Sequence, residues 1–176
     1  MKRFTLSCAV ILLFSFCSPV LVLAADEAGK KNGAAEMPPA EGQAFVRYIT
    51  ETNSYKQWEL WPGKDEMYKG TEPHGALLTT YVNKTALEAI KQQAGKMPEG
   101  AIIVKENYTP DRKLAAVTAM YRKSGFNPEA GDWFWIKYGP DGKIEASGKA
   151  EGCINCHGKA KGNDWLFTGN IGKSGG

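Results

Sequence analysis

The chain has 176 residues, with 22 Lys and Arg against 19 Asp and Glu, a formal net charge of +3. So small an excess gives no ground for a nucleic-acid partner, and the length suits one domain with one core. The four cysteines and two histidines are the residues whose placement decides the chemistry.

Lys2 and Arg3 precede an uncharged apolar run from Phe4 to Leu23, and Val22-Leu23-Ala24-Ala25 supplies small residues for a signal peptidase. This predicts a signal peptide over 1–24, cleaved near Ala24, and a periplasmic chain. The run is about long enough to span a bilayer as an uncleaved anchor, but Pro19 and the Ala-Ala junction favour cleavage. Cleavage would remove Cys8, Cys17 and two basic residues. A near-neutral mature chain would remain, with Cys153 and Cys156 as its thiols and no disulfide framework outside that pair. Residues 25–40 are polar, contain Gly and Pro, lack apolar periodicity and read as a flexible leader.

From Glu41, the residues Ala44, Phe45, Tyr48 and Ile49 follow the spacing of a helix face. Tyr55 to Trp61 reads as a second short amphipathic turn, closed by Pro62-Gly63, and 64–75 as a polar loop. Ala76–Val82 reads as a strand. Asn83 caps a helix predicted from Lys84 to Ala94, stopped by Gly95 and Pro98. Ala101–Tyr108 and Leu114–Arg122 are strands joined by the turn Thr109-Pro110-Asp111-Arg112, which makes them an antiparallel hairpin. Asp132–Tyr138, dense in aromatics, and Lys143–Ser147 follow as a fourth and fifth strand around Gly139-Pro140-Asp141-Gly142. The prediction is an α+β domain over 41–176: an antiparallel five-stranded sheet flanked by helices, with a c-type haem motif near the C-terminus.

That motif is Cys153-Ile154-Asn155-Cys156-His157. Two thiols at this spacing can add to the two haem vinyl groups, and the following histidine is placed to ligate iron. A thioredoxin-type dithiol wants the pair early in a βαβ unit, whereas here it follows the last strand. Structural zinc needs four ligands, and His157 adjoins Cys156 too closely for a tetrahedron. One covalent haem c is therefore expected, held by Cys153, Cys156 and His157. The sixth iron position decides between electron transfer and small-molecule binding. His74, Met37, Met67, Met97, Met120 and the lysines are candidate ligands. His74, between Pro73 and Gly75, also reads as a turn residue, Met120 as core and Met37 as part of the leader.

In Ile102-Ile103-Val104-Lys105-Glu106, alternation puts Ile103, Lys105 and Asn107 on one face and Ile102, Val104, Glu106 and Tyr108 on the other. Lys105 and Glu106 also read as the solvated end of a strand.

Tyr55-x-x-Trp58, Leu78–Asn83, Ile102–Glu106, Asp132-Trp133-Phe134-Trp135, Cys153-x-x-Cys156-His157 and Asp164-Trp165-x-Phe167 together resemble the cytochrome P-460 family, over Glu41 to Thr168. The resemblance implies a mostly β mono-haem domain, usually a homodimer, with five-coordinate iron on His157. It also implies a covalent bond from Lys105 to the macrocycle and oxidation of hydroxylamine with nitric oxide involved. The related cytochromes c′-beta share the fold without the cross-link and bind nitric oxide or carbon monoxide. Three functions are thus in view. The first is hydroxylamine oxidation with transfer of electrons to a partner such as another cytochrome. The second is nitric oxide binding or sensing without turnover. The third is plain electron transfer through a six-coordinate haem. Glu106, Glu145 and Glu151 are candidate proton acceptors, and Phe126, Trp133, Phe134 and Trp135 candidate haem walls.

Overall fold

The computed structural model describes residues 37–172. The signal segment, residues 25–36 of the leader and residues 173–176 lie outside the described residues. Pro38 is buried and Ala40 packs on the core, so the folded chain begins a few residues before Glu41.

Helix α1 spans Gly42–Arg47, and the Glu41 carboxylate accepts from the free N–H groups of Gln43 and Ala44 at its start. A wider π-type turn, Tyr48–Thr52, continues it. Only Tyr55–Gln57 of the expected second turn is helical. Glu59–Leu60 is instead strand β1, and the expected loop over 64–75 contains strand β2, Tyr68–Lys69.

The five predicted strands follow as β3 (Leu77–Val82), β4 (Ile102–Tyr108), β5 (Leu114–Arg122), β6 (Trp133–Tyr138) and β7 (Ile144–Gly148). Every pairing is antiparallel, in the order β1-β3-β4-β5-β6-β7, with β2 also on β3. The sheet is therefore seven-stranded rather than five-stranded. The two additions are short segments that share the outer side of β3 and satisfy backbone groups an open edge would leave unpaired.

Helix α2 covers Lys84–Lys91, shorter than expected, because Gln93 and Gly95 both take left-handed backbone angles (φ 51° and 74°). Asn83 both caps it, accepting from Ala86 N–H, and ties it to the sheet by accepting from Ile102 N–H and donating to the Gly100 carbonyl. Helix α3, Glu151–His157, carries the Cys-x-x-Cys-His motif.

Alternation along β4, β5 and β6 divides the core in two. Ile102, Val104, Val117, Tyr121, Phe134 and Ile136 pack under α1, with Phe45, Ile49 and Tyr55. Ile103, Met120, Trp133 and Trp135 face α2, α3 and the segment Trp165–Ile171. The Cys-x-x-Cys-His motif docks on this second face. Among the described residues no helix is long and apolar enough to cross a membrane.

Candidate functional site

Between α3 and the second sheet face lies a cavity of about 490 Å³. Its walls include Ile103, Lys105 and Asn107 of β4, Met120 of β5, Trp135 of β6, and Cys153, Cys156 and His157 of α3. A smaller cavity of about 380 Å³ shares His74, Lys105, Cys156, His157 and Phe167 with it, and adds Lys64, Tyr68, Lys69 and Glu72. The four predicted site residues thus meet in one place, although 48 positions of chain separate Lys105 from the first cysteine.

His157 is oriented by the segment after α3. Its Nδ1–H donates to the Trp165 carbonyl at 2.7 Å, which leaves Nε2 bare, the arrangement that prepares a histidine for a metal. Trp135 packs 4.6 Å from its ring and Phe167 5.3 Å. The imidazole stays neutral, since burial pushes its pKa down against the opposing effect of the Trp165 bond.

Trp165 is itself positioned by Asp164. The Asp164 carboxylate accepts from Met97 N–H at 2.7 Å and pairs with the Arg122 guanidinium at 2.9 Å. Both side chains of that pair are buried, and the Trp133 indole N–H donates to the Asp164 carbonyl. On the other side of Trp165, Gly131 has φ 68°, and a Cβ there would lie 2.6 Å from the indole nitrogen. Gly131→Ala is expected to cost about 2–4 kcal/mol, combining left-handed strain with overpacking, read as a lowered midpoint in thermal unfolding.

Lys105 does not mark a frayed strand end. It pairs with Thr80 on β3 and Thr118 on β5, in the middle of the sheet. Its amine faces the cavity with no ion-pair partner among the described residues. Burial, then the charge of Lys64, pushes its pKa down to about 8, so an appreciable fraction is the free amine near neutral pH.

His74 lies on the closed loop before β3. Its N–H donates to the Thr71 carbonyl, and Gly70 N–H to that of Ala76. Gly75 sits so tightly on β4 that a Cβ would fall 2.5 Å from the Tyr108 backbone. The His74 Nδ1 meets Asn107 Oδ1 at 2.9 Å. Burial, then the charge of Lys105, pushes the His74 pKa down to about 4.

Several expected participants lie elsewhere. Glu106 is buried on the opposite face, accepting from Tyr55 and Tyr108 hydroxyls and pairing with Lys56. Glu145 pairs with Lys137 at 2.7 Å and Glu151 is exposed. Among the described residues no carboxylate lines the larger cavity. Of the four candidate haem walls only Trp135 lines it; Trp133 lies in the adjoining core, while Phe126 and Phe134 meet edge to face on the α1 face. Met97 is fully buried in the core and Met120 is a cavity wall. Asn107 and the Trp165 carbonyl were not expected to take part. Asn107 was legible only as the residue two beyond Lys105 on the same strand face.

The residues fit a flat, partly acidic prosthetic group. The larger cavity is mostly apolar. The buried Trp135 Nε1–H finds no acceptor among the described residues, a cost that a bound acceptor would relieve. Both thiols are unpaired, and Lys64, Lys69 and Lys105 bring positive charge to the smaller cavity against Glu72 alone. Among the described residues no cluster of His, Cys, Asp and Glu could hold a metal ion by side chains alone. No curated protein matches the sequence. The family profile described as cytochrome P460 matches residues 52–168, from the end of the π-type turn to just beyond Phe167, and the chain is a c-type haem protein of the cytochrome P460 family.

Proposed function

We propose that this chain is an exported mono-haem protein that oxidises hydroxylamine, with nitric oxide as a related ligand, and passes the electrons to an outside acceptor such as a second cytochrome. The observation that carries this reading is Lys105, a half-buried amine of depressed pKa facing the same cavity as Cys153, Cys156 and His157. That is the placement in which the family resemblance expects a lysine joined to the macrocycle. In this reading Cys153 and Cys156 hold the vinyl carbons and His157 holds the iron. The haem, when bound, supplies a redox-active iron whose electronics the lysine bond alters. Ile103, Met120 and Trp135 keep water from one side of the cavity, which strengthens every polar contact inside. The Trp165 carbonyl keeps the His157 proton on Nδ1. Export rests on residues 1–24, and a homodimer on the family resemblance.

A second reading, capture of nitric oxide without turnover, is favoured by the mostly apolar wall and by the lack, among the described residues, of a carboxylate to accept protons in the larger cavity. Peptide mass mapping of the purified holoprotein separates the two. The expected result is haem on the Cys153–Cys156 peptide and also on the Lys105 peptide, with sustained hydroxylamine consumption when an electron acceptor is added. A haem-free Lys105 peptide, with nitric oxide held stably and hydroxylamine untouched, would leave the second reading standing.

A further inference from the structure

His74 is the one histidine that the proposed chemistry does not use, and its proton can be placed from its neighbours. Asn107 is 4 % exposed. Its Nδ2 faces three oxygens: the carbonyls of Lys105 (2.9 Å) and Ala116 (3.2 Å) and the hydroxyl of Thr118 (3.3 Å). The amide can satisfy them only by donating, so its orientation is set. Asn107 Oδ1 is then left to accept, from Gly75 N–H at 3.4 Å and from His74 Nδ1. His74 therefore carries its proton on Nδ1 and a bare lone pair on Nε2. His157 has the same tautomer for the same reason, with the Trp165 carbonyl in place of the amide.

Two neutral imidazoles of matched tautomer thus line the same two cavities. Their ring centroids are 6.2 Å apart and their planes cross at 86°. A histidine nitrogen binds a metal at about 2.0–2.1 Å. Adding the depth of each ring behind its nitrogen, two such ligands on opposite sides of one metal have centroids about 6 Å apart. A turn-fixing histidine would need only the Asn107 bond; nothing in that role sets its distance from His157.

We infer that His74 is the second axial ligand of the haem iron, opposite His157, so that the resting iron is six-coordinate. The loop supports this role. His74 is held by its own backbone bond to Thr71, by the tight seat of Gly75 on β4 and by the Asn107 bond, so little ordering is left to be lost when it binds. Closure at rest suits electron transfer, and a small molecule would reach the iron by displacing His74. The inference rests on haem attachment at Cys153–His157 and not on hydroxylamine as substrate, so the two can fail separately.

The test uses the purified holoprotein. Electron paramagnetic resonance of the ferric form is expected to show low-spin iron. H74A is expected to convert it to high-spin, a change that loss of a merely structural histidine would not produce, and added imidazole to restore the low-spin signal at the vacated position. With His74 occupying the iron for nine-tenths of the time or more, H74A should also tighten apparent carbon monoxide binding to the ferrous form by about tenfold or more. In the unaltered protein, the rate of carbon monoxide binding should level off as its concentration rises, because His74 must leave first. That measurement stands even if H74A does not fold. High-spin ferric iron in the unaltered protein, or a carbon monoxide rate that climbs linearly throughout, overturns the inference. Hydroxylamine turnover bears on the proposed function alone.

Discussion

Asp164→Ala is expected to destabilise the protein by about 3–5 kcal/mol, the cost of leaving one member of a buried ion pair without its partner. Arg122 lies at 4 % side-chain exposure and Asp164 at 8 %, so water does not replace the lost carboxylate. Arg122 also lies 5.3 Å from the Trp133 ring, which leaves the guanidinium against an apolar face with its counter-charge removed. Met97 N–H loses its acceptor at the same time. The loss should appear as a lowered urea midpoint with an unchanged slope. Asp164→Asn keeps an acceptor for Met97 and a similar shape, so it should cost less. A shift under about 1 kcal/mol for the alanine variant would show that the pair does not fasten the segment beginning at Asp164. The effect should reach His157 as well, because Asp164 and Trp165 are adjacent and the Trp165 carbonyl fixes the imidazole.

Lys105→Met should stabilise the haem-free chain, and by an amount that depends on pH. The haem-free state is reached by changing Cys153 and Cys156 to serine. Below about pH 8 Lys105 is protonated in both folded and unfolded chains, and the folded state bears the cost of a partly desolvated ammonium. Between about 8 and the ordinary lysine value near 10.4 the folded chain has shed the proton while the unfolded chain keeps it, so stability rises with pH. Above that range both forms are neutral and the cost is gone. At neutral pH the methionine variant should be more stable by about 2 kcal/mol, allowing for partial screening of the amine by water. The gap should close by about pH 11. A constant difference across the range would mean that Lys105 keeps its charge in the folded chain. Where Lys105 is joined to haem the amine is no longer free, and the same pH dependence should be absent from the holoprotein.

The long strands were legible because they carry their own signal. Leu114–Arg122 begins and ends as predicted, β3, β4 and β6 start one residue later than expected, and β7 is displaced by one residue at both ends. Strands β1 and β2 were not legible, since two residues hold no period and their pairing is dictated by Tyr81, Val82, Leu77 and Leu78 opposite. The direction of Lys105 followed from alternation, but its environment did not. Whether a strand face meets water depends on what covers it, and α3 lies far along the chain. The His74–Asn107 contact joins residues 33 positions apart and depends on the loop closing over the end of β4. The Trp165 carbonyl was invisible in principle, because every residue has one and only the left-handed turn at Asp164 and Trp165 (φ 51° and 71°) aims this one.

The motif helix has no fully buried residue, and both thiols are only partly covered. The chain that covers the site, Asp164 to Ile171, comes after it and is fastened by Arg122, Met97 and Trp133. On the proposed reading this separation would let the thiols be reached independently of the segment that orients His157. A chain whose sheet has formed but whose final segment has not yet closed still presents Cys153 and Cys156 to an attaching enzyme, while His157 lacks the carbonyl that orients it. On the proposed reading, closure of the segment held by Asp164 would orient His157 beneath a haem held by Cys153 and Cys156, and a variant that weakens the Arg122–Asp164 pair is expected to carry haem with an altered iron spectrum.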